Sequence, residues 1–210
     1  MRLPFLTALI ATLLVNALNT KAEQVILSTE LGEVEIEIYS EQAPTTAAYF
    51  LNIIEQGLYD DGTIYRAATL DDDPQMQFIQ AGMLQNLLTQ TGPISANNYD
   101  FPVLREIEST EHTGLTHEAG TVSFARDLLD TGYVIPDIFI CLRTCSWADA
   151  YGRDKPDTKG FPAFGKVTRG LDVLQKIASG KTEGATTIPF LQGQILTQPI
   201  RIKSTHVISD

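Results

Sequence analysis

The residues best suited to chemistry are an arginine, a phenylalanine and a glutamine in two neighbouring apolar segments. Arg66 lies in the segment at residues 63–68, and Phe78 and Gln80 lie in the segment at residues 76–80. A guanidinium group is costly to remove from water, so an arginine in an apolar strand needs a partner. Two interpretations are open. Arg66 is either a structural residue paired with a carboxylate or carbonyl group, or a hydrogen-bond donor held beside an apolar pocket.

Both segments are predicted to be β-strands, and an acidic loop joins them. Side chains alternate between the two faces of a strand. We therefore expect Ile64 and Arg66 on one face of the first strand and Tyr65 on the other. By the same rule, Phe78 and Gln80 share a face of the second strand.

Length and composition indicate one globular domain without affinity for nucleic acid. The chain has 210 residues, of which 43% are hydrophobic and 20% are charged, an ordinary mixture for a domain with a large core. Acidic residues outnumber basic residues by 26 to 15, and no basic cluster offsets this excess locally. Attraction to a phosphate backbone is therefore not expected.

The first 22 residues have the features of a cleaved secretory signal peptide. Arg2 precedes an apolar run, and small residues lie one and three positions before a cut after Ala22. The run is shorter than a membrane span usually needs, which disfavours an uncleaved anchor. We expect a signal peptide at residues 1–22 and a soluble domain at residues 23–210, periplasmic or secreted, with no membrane span after cleavage.

The remaining periodicity predicts a mainly β fold with two helices. Alternating or continuous apolar runs indicate a hairpin and four further strands, and apolar residues at helical spacing follow Pro44 and Gly170. Many strands with few helices favour a closed antiparallel barrel whose ends the helices cover, because closure removes exposed strand edges. The predicted elements are the hairpin at 23–38, helices at 44–56 and 171–178, and strands at 120–125, 138–142, 161–167 and 200–207.

Other candidate sites receive weaker support from the sequence. Cys141 and Cys145 are the only cysteines, and both a disulfide and two free thiols remain open. Two thiols without a nearby histidine do not make a metal site. The acidic triplet at 71–73 lacks the spaced ligands of a calcium loop, so a solvated loop is predicted there. Trp147 is predicted to anchor a loop on the barrel.

Several ordered motifs along the chain resemble the cyclophilin-type peptidyl-prolyl isomerases, as a divergent bacterial branch of that family. The matching segments are GLYDDGTIYR at 57–66, FIQAG at 78–82, GTVSFAR at 120–126, FIC at 139–141 and GFPAFGKV at 160–167. The resemblance implies a closed eight-stranded antiparallel barrel capped by two α-helices, with a groove for proline-containing peptides on its outer surface. It also implies that no cofactor or metal is needed.

The resemblance assigns roles to individual residues. Arg66 matches the family's catalytic arginine, Gln80 the glutamine that binds the substrate backbone, and Phe139 the floor of the proline pocket. Phe124 and Ala125 match groove positions. The other expected substrate-binding residues are Gln77, Phe78 and Phe161. Gln77 departs from the family, because many members have an aromatic pocket wall there, and Asp137 stands where a glutamine often lies.

Two functions of different class follow from the resemblance. The first is a monomeric isomerase that acts on prolyl bonds of unfolded exported proteins, where slow isomerisation limits folding. In this function Arg66 stabilises the twisted prolyl amide. The second is a non-catalytic module or chaperone that binds proline-containing peptides on the same barrel, which the altered groove motivates.

Overall fold

The chain folds as a closed barrel of eight antiparallel strands, as the resemblance implies. A computed structural model describes residues 22–69, 77–85, 103–126, 132–152 and 157–208. The order of strands around the barrel is β1-β2-β7-β5-β6-β4-β3-β8, and β8 pairs with β1 to close it. The strands are β1 Gln24–Thr29, β2 Glu33–Ile38, β3 Thr63–Thr69, β4 Gln77–Gly82, β5 Thr121–Arg126, β6 Val134–Cys141, β7 Ala163–Arg169 and β8 Ile195–Ile208.

The opening hairpin shows how sequence alternation becomes barrel structure. Val34, Ile36 and Ile38 are buried in the core, whereas the glutamates between them lie toward the outside. Thr29 fixes the turn before β2, because its Oγ1 accepts hydrogen bonds from the amides of Leu31 and Gly32. The predicted hairpin is therefore confirmed.

Helix α1 (Pro44–Glu55) packs its apolar face against the barrel, and the predicted start at Pro44 is confirmed. No side chain of the preceding residue caps it. Glu108 takes this role from a distant segment, because its carboxylate accepts the backbone N–H groups of Thr45 and Thr46 at 3.1 and 2.8 Å. The anchored helix buries Phe50 completely.

Two further α-helices follow α1 among the described residues. Helix α2 (Thr110–Thr113) is a single turn that the sequence does not predict. Helix α3 (Leu171–Ala178) matches the second predicted helix and buries Leu174 and Ile177. No described helix has both the length and the hydropathy needed to cross a membrane.

The barrel core contains an aromatic cluster that joins α1 to the strands. Phe124 lies 4.7 Å from Phe164 and 6.0 Å from Phe50 between ring centroids, and Tyr49 also contacts it. Phe50, Phe124 and Phe164 are fully buried. Phe124 is therefore a core residue and does not reach the outer surface, which corrects its expected place in a substrate groove. Side chains alternate along β5, so Phe124 points into the barrel core and its neighbour Ala125 points outward.

Both cysteines are buried free thiols, so the structure contains no disulfide between them. Burial, followed by the adjacent Cys145 thiol, raises the pKa of Cys141 above its usual range. The proposed signal peptide, apart from Ala22, and the acidic triplet at 71–73 lie outside the described residues.

Candidate active site

A β-bulge in β3 determines which side chains reach the outer face of the barrel. Ile64 pairs with Ala81, and Arg66 pairs with Gln80, so Tyr65 is an extra residue on its strand. Ile64 packs in the barrel core, whereas Tyr65 packs in a separate cluster outside it. The expectation that Ile64 and Arg66 share a face is therefore wrong. The bulge resets the alternation and places Tyr65 and Arg66 together on the outer face.

Arg66 is held by two amide side chains. Its Nη1 donates to Gln80 Oε1 at 2.9 Å, while Nε and Nη2 donate to Gln194 Oε1 at 2.9 and 2.5 Å. Its guanidinium carbon also lies 4.9 Å from the centroid of the Phe78 ring. The structure thus brings Arg66, Phe78 and Gln80 together, and Phe78 and Gln80 share a face as predicted.

Gln194 is a contact residue that the sequence does not reveal. The predicted last strand begins at residue 200, whereas β8 begins at Ile195 and pairs that residue with Arg66. Gln194 therefore reaches the arginine from the segment before β8. Its own Nε2 donates to the carbonyl oxygen of Phe190 at 2.9 Å, which leaves its oxygen directed at Arg66.

Phe139 lies at the centre of a cluster of aromatic side chains beside Arg66. Its ring centroid is 5.7 Å from Phe78, 5.3 Å from Phe161, 5.8 Å from Trp147 and 5.6 Å from His117. Only 2% of Phe139 is exposed. A substrate ring can therefore rest on Phe139 only if a covering side chain moves.

Trp147 and His117 are further residues of this cluster. Trp147 packs on Phe78 and Phe139, which agrees with its predicted role as a loop anchor. His117 is fully buried, and its Nδ1 lies 2.7 Å from Asp149 Oδ1. The separation of the three histidines in the sequence gave no signal for this position, because His117 reaches the cluster through the long connection before β5.

The remaining predicted groove residues lie around this centre. Gln77 starts β4 and is half-buried, and its carbonyl oxygen accepts the amide of Leu142 at 2.8 Å. Ala125 lies on the outer face in the same apolar cluster as Tyr65. Phe161 is half-buried and packs edge-on against Phe139.

A buried carboxylate lies behind the contact between Arg66 and Gln80. Asp137 Oδ2 accepts hydrogen bonds from Tyr65 OH at 2.5 Å and from Gln80 Nε2 at 3.2 Å, and Oδ1 accepts from the amides of Met83 and Leu84 at 3.0 and 3.2 Å. Burial raises the pKa of Asp137 to about 7, although these hydrogen bonds oppose the increase.

A metal centre is not formed by the described part of the chain. No group of three or more histidine, cysteine, aspartate or glutamate side chains there could hold a metal ion. The chemistry that the site offers is hydrogen-bond donation from a fixed guanidinium group beside an apolar, aromatic surface.

The sequence identifies the family to which this barrel belongs. The family described as "Cyclophilin type peptidyl-prolyl cis-trans isomerase/CLD" matches residues 24–207, almost all of the described chain. The chain belongs to this family. Curated cyclophilin-type relatives are named as peptidyl-prolyl cis-trans isomerases, so the enzyme class expected from the sequence is confirmed.

Two bacterial relatives illustrate the extent of the similarity. A peptidyl-prolyl cis-trans isomerase of Acinetobacter baylyi is 27% identical over 197 residues, which cover 94% of this chain and 92% of the relative. Peptidyl-prolyl cis-trans isomerase A of Dickeya dadantii is 24% identical and covers 90% of this chain and 86% of its own length.

The cyclophilin fold is also recognised among solved structures. A crystal structure of a Cryptosporidium parvum cyclophilin-type peptidyl-prolyl cis-trans isomerase, determined in the presence of the dipeptide Ala-Pro, has a TM-score of 0.63 to this chain. It is 17% identical and covers 89% of this chain and 99% of its own. At this identity the match confirms the fold.

Proposed function

We propose that this cyclophilin-type enzyme isomerises Xaa-Pro bonds of exported, incompletely folded proteins, with Arg66 as the catalytic residue. The observation that carries the proposal is the position of Arg66. Its guanidinium group is fixed by Gln80 and Gln194 on the outer face of the barrel, next to the aromatic cluster around Phe139.

The chemistry requires no proton transfer. Rotation about a prolyl bond breaks amide resonance, with a barrier of about 18–20 kcal/mol, and leaves the nitrogen pyramidal with a localised lone pair. A guanidinium N–H that donates to this nitrogen stabilises the twisted amide more than the planar one. Interactions that are stronger in the transition state than in the ground state are those that accelerate a reaction.

The neighbouring side chains suit the binding of a proline-containing segment. Gln80 offers an amide beside Arg66, and Phe78 and Phe139 offer aromatic surface for an apolar ring. The Cryptosporidium parvum relative was crystallised in the presence of Ala-Pro, which supports this class of ligand. We infer that the enzyme acts as a monomer on such segments and uses no cofactor.

The cellular setting of the proposal rests on the N-terminal segment. Residues 1–22 have the charge, apolar run and small residues of a cleaved signal, so the proposed location is the periplasm or the exterior of the cell. Mass spectrometry of the exported protein should find Glu23 at its N-terminus. An intact Met1 in a membrane fraction would contradict this part of the proposal.

A non-catalytic module that binds proline-containing peptides is the second candidate, and the burial of Phe139 favours it. With 2% of Phe139 exposed, the expected pocket floor is covered by Phe161 and Trp147. A barrel that opens this cover for binding but does not hold the prolyl bond against Arg66 would bind peptides without catalysis.

An NMR exchange assay on short Xaa-Pro peptides separates the two candidates. Replacing Arg66 with Ala should lower kcat about ten- to a hundredfold, because one charge-assisted hydrogen bond contributes roughly 1.5–3 kcal/mol and each decade corresponds to about 1.4 kcal/mol. Peptide affinity should change little. Arg169→Ala is a matched control, because Arg169 lies on β7 and pairs with Glu35 away from the site.

Two results would count against the isomerase proposal. A wild-type protein that leaves the exchange rate at its uncatalysed value, even at high concentration, would favour the binding module. An Arg66→Ala protein with the wild-type rate and a lowered melting temperature would show that the arginine is structural.

A further inference from the structure

The carboxylate of Asp137 gives the Gln80 side chain a defined orientation. An amide group fits its site in two orientations related by a half-turn, and the difference lies in which end presents oxygen. Asp137 Oδ2 is an acceptor, so it binds the Nε2 end of Gln80 at 3.2 Å. The oxygen end then faces Arg66 Nη1 at 2.9 Å.

We propose that Asp137 is a positioning residue for the isomerase reaction. Through Gln80 it keeps an oxygen directed at Arg66 and so holds the guanidinium group in its donating geometry. The opposite orientation of Gln80 would bring an N–H group against the N–H groups of Arg66. This inference rests on the function proposed above for Arg66, and it assigns to Asp137 a role other than substrate contact.

The polar groups around Asp137 favour the ionised carboxylate, whereas burial favours the neutral carboxyl group. Four N–H or O–H groups of described residues donate to its oxygens, and an ionised carboxylate is an acceptor only. Gly82 makes this packing possible, because a Cβ atom at that position would overlap the Asp137 carboxylate. Any larger residue at Gly82 would push the carboxylate away from Gln80.

The other titratable groups around Asp137 keep their charge near neutral pH. Tyr65 contacts Asp137 from β3, and Arg66 lies beyond Gln80. The charge of Asp137 also acts on Tyr49 in α1 and on Tyr59 in the connection that follows α1. Burial, reinforced by the charge of Asp137, raises the pKa of all three tyrosines. Among these groups, the carboxyl group is therefore the one that changes charge near pH 7.

Protonation of Asp137 displaces one of its donors. Either the Tyr65 hydroxyl turns toward the apolar cluster around it, or Gln80 reverses and presents Nε2 to Arg66. Reversal of Gln80 removes the oxygen that faces Arg66. Even without reversal, a neutral carboxyl group accepts from Gln80 Nε2 more weakly than a carboxylate, so the restraint on the guanidinium group weakens in either case. We therefore expect kcat to decrease as the pH falls through about 7, the value to which burial raises the pKa of Asp137.

The test compares the pH dependence of kcat in wild-type protein and three variants, from about pH 5.5 to 8.5, a range around the carboxyl pKa. Wild-type kcat should fall about tenfold toward the acid end, the effect of roughly 1.4 kcal/mol. Asp137→Asn should have a low, pH-independent kcat with nearly unchanged peptide affinity. Tyr65→Phe removes a hydrogen bond that lowers the carboxyl pKa, so its midpoint should move to higher pH.

Tyr59→Phe is the matched control. It also removes one buried hydroxyl, and among the described residues that hydroxyl has no hydrogen-bond partner. It should keep the wild-type midpoint. A carbon-13 NMR titration of the Asp137 carboxyl group in wild type, Tyr65→Phe and Tyr59→Phe measures the same midpoints independently of catalysis.

Each alternative result has a distinct meaning. An active wild-type enzyme whose kcat does not change with pH would overturn the role of Asp137 and leave the isomerase proposal intact, as would equal midpoints for Tyr65→Phe and Tyr59→Phe. If Asp137→Asn does not fold, those two variants decide. A wild-type protein that is inactive at every pH would overturn the isomerase proposal and this role with it.

Discussion

Replacing Asp137 with Asn should change the pH dependence of stability in a direction that the structure fixes. Burial raises the pKa of Asp137 from 3.8 to about 7. Below the pKa of the unfolded chain, the carboxyl proton is bound in both states. Between that pKa and about 7, only the folded state retains the proton. The stabilising contribution of the neutral carboxyl group is therefore complete below about pH 4 and is lost as the pH rises through about 7.

The size of this effect follows from the shift. About three pK units correspond to a change on the order of 4 kcal/mol in the free energy of unfolding, at about 1.36 kcal/mol per unit. Asparagine does not titrate. The free energy of unfolding of the wild type, relative to that of Asp137→Asn, should thus decrease by this amount between about pH 4 and pH 8.

Urea unfolding of both proteins at several pH values measures this difference directly. Other carboxylates respond in the opposite sense. The Arg126 hydrogen bond lowers the pKa of Asp157, and despite its partial burial the hydrogen bonds from Thr46 and Thr45 lower the pKa of Glu108. Both effects occur equally in the two proteins and cancel. A difference that stays constant, or grows in favour of the wild type with rising pH, would refute the reasoning.

Three further outcomes are expected. Gln194→Leu should lower kcat about three- to tenfold, the effect of about 0.7–1.4 kcal/mol, because Arg66 loses one of the two amide acceptors described above. NMR exchange measures this decrease, and an unchanged kcat would contradict the prediction. Phe161→Ala should strengthen binding of Xaa-Pro peptides by uncovering Phe139; a peptide titration that shows weaker binding would contradict it. Reducing agent should leave the melting temperature unchanged because both cysteines are free thiols, and a large decrease would indicate a disulfide.

Much of the barrel could be predicted because its strands alternate regularly. The hairpin β1–β2 and the two longer helices lie where apolar spacing placed them. The expected alternation of side chains failed at Tyr65. A bulge depends on how β3 pairs with its neighbours, so the sequence of β3 alone does not predict it. Phe124 was misplaced for a related reason: a motif aligns positions along the chain, while the pleat decides which face each side chain takes.

The rest of the site depends on contacts between distant parts of the chain. Gln194 meets Arg66 only because β8 pairs with β3 from Ile195 onward. The cover over Phe139 comes from Trp147 and Phe161, which belong to connections on either side of residues 153–156. Local sequence patterns carry no information about such meetings, so neither the second amide nor the covered ring could be predicted.

Two neutral amide side chains orient the guanidinium group of Arg66 in the contacts described above. The oxygens of Gln80 and Gln194 accept hydrogen bonds from three nitrogen atoms of this group. The negative charge of Asp137 lies one hydrogen bond further away and acts through Gln80. In the proposed reaction, the intervening amide therefore transmits orientation from Asp137 to Arg66, and the oriented N–H groups lower the barrier by stabilising the twisted amide more than the planar one.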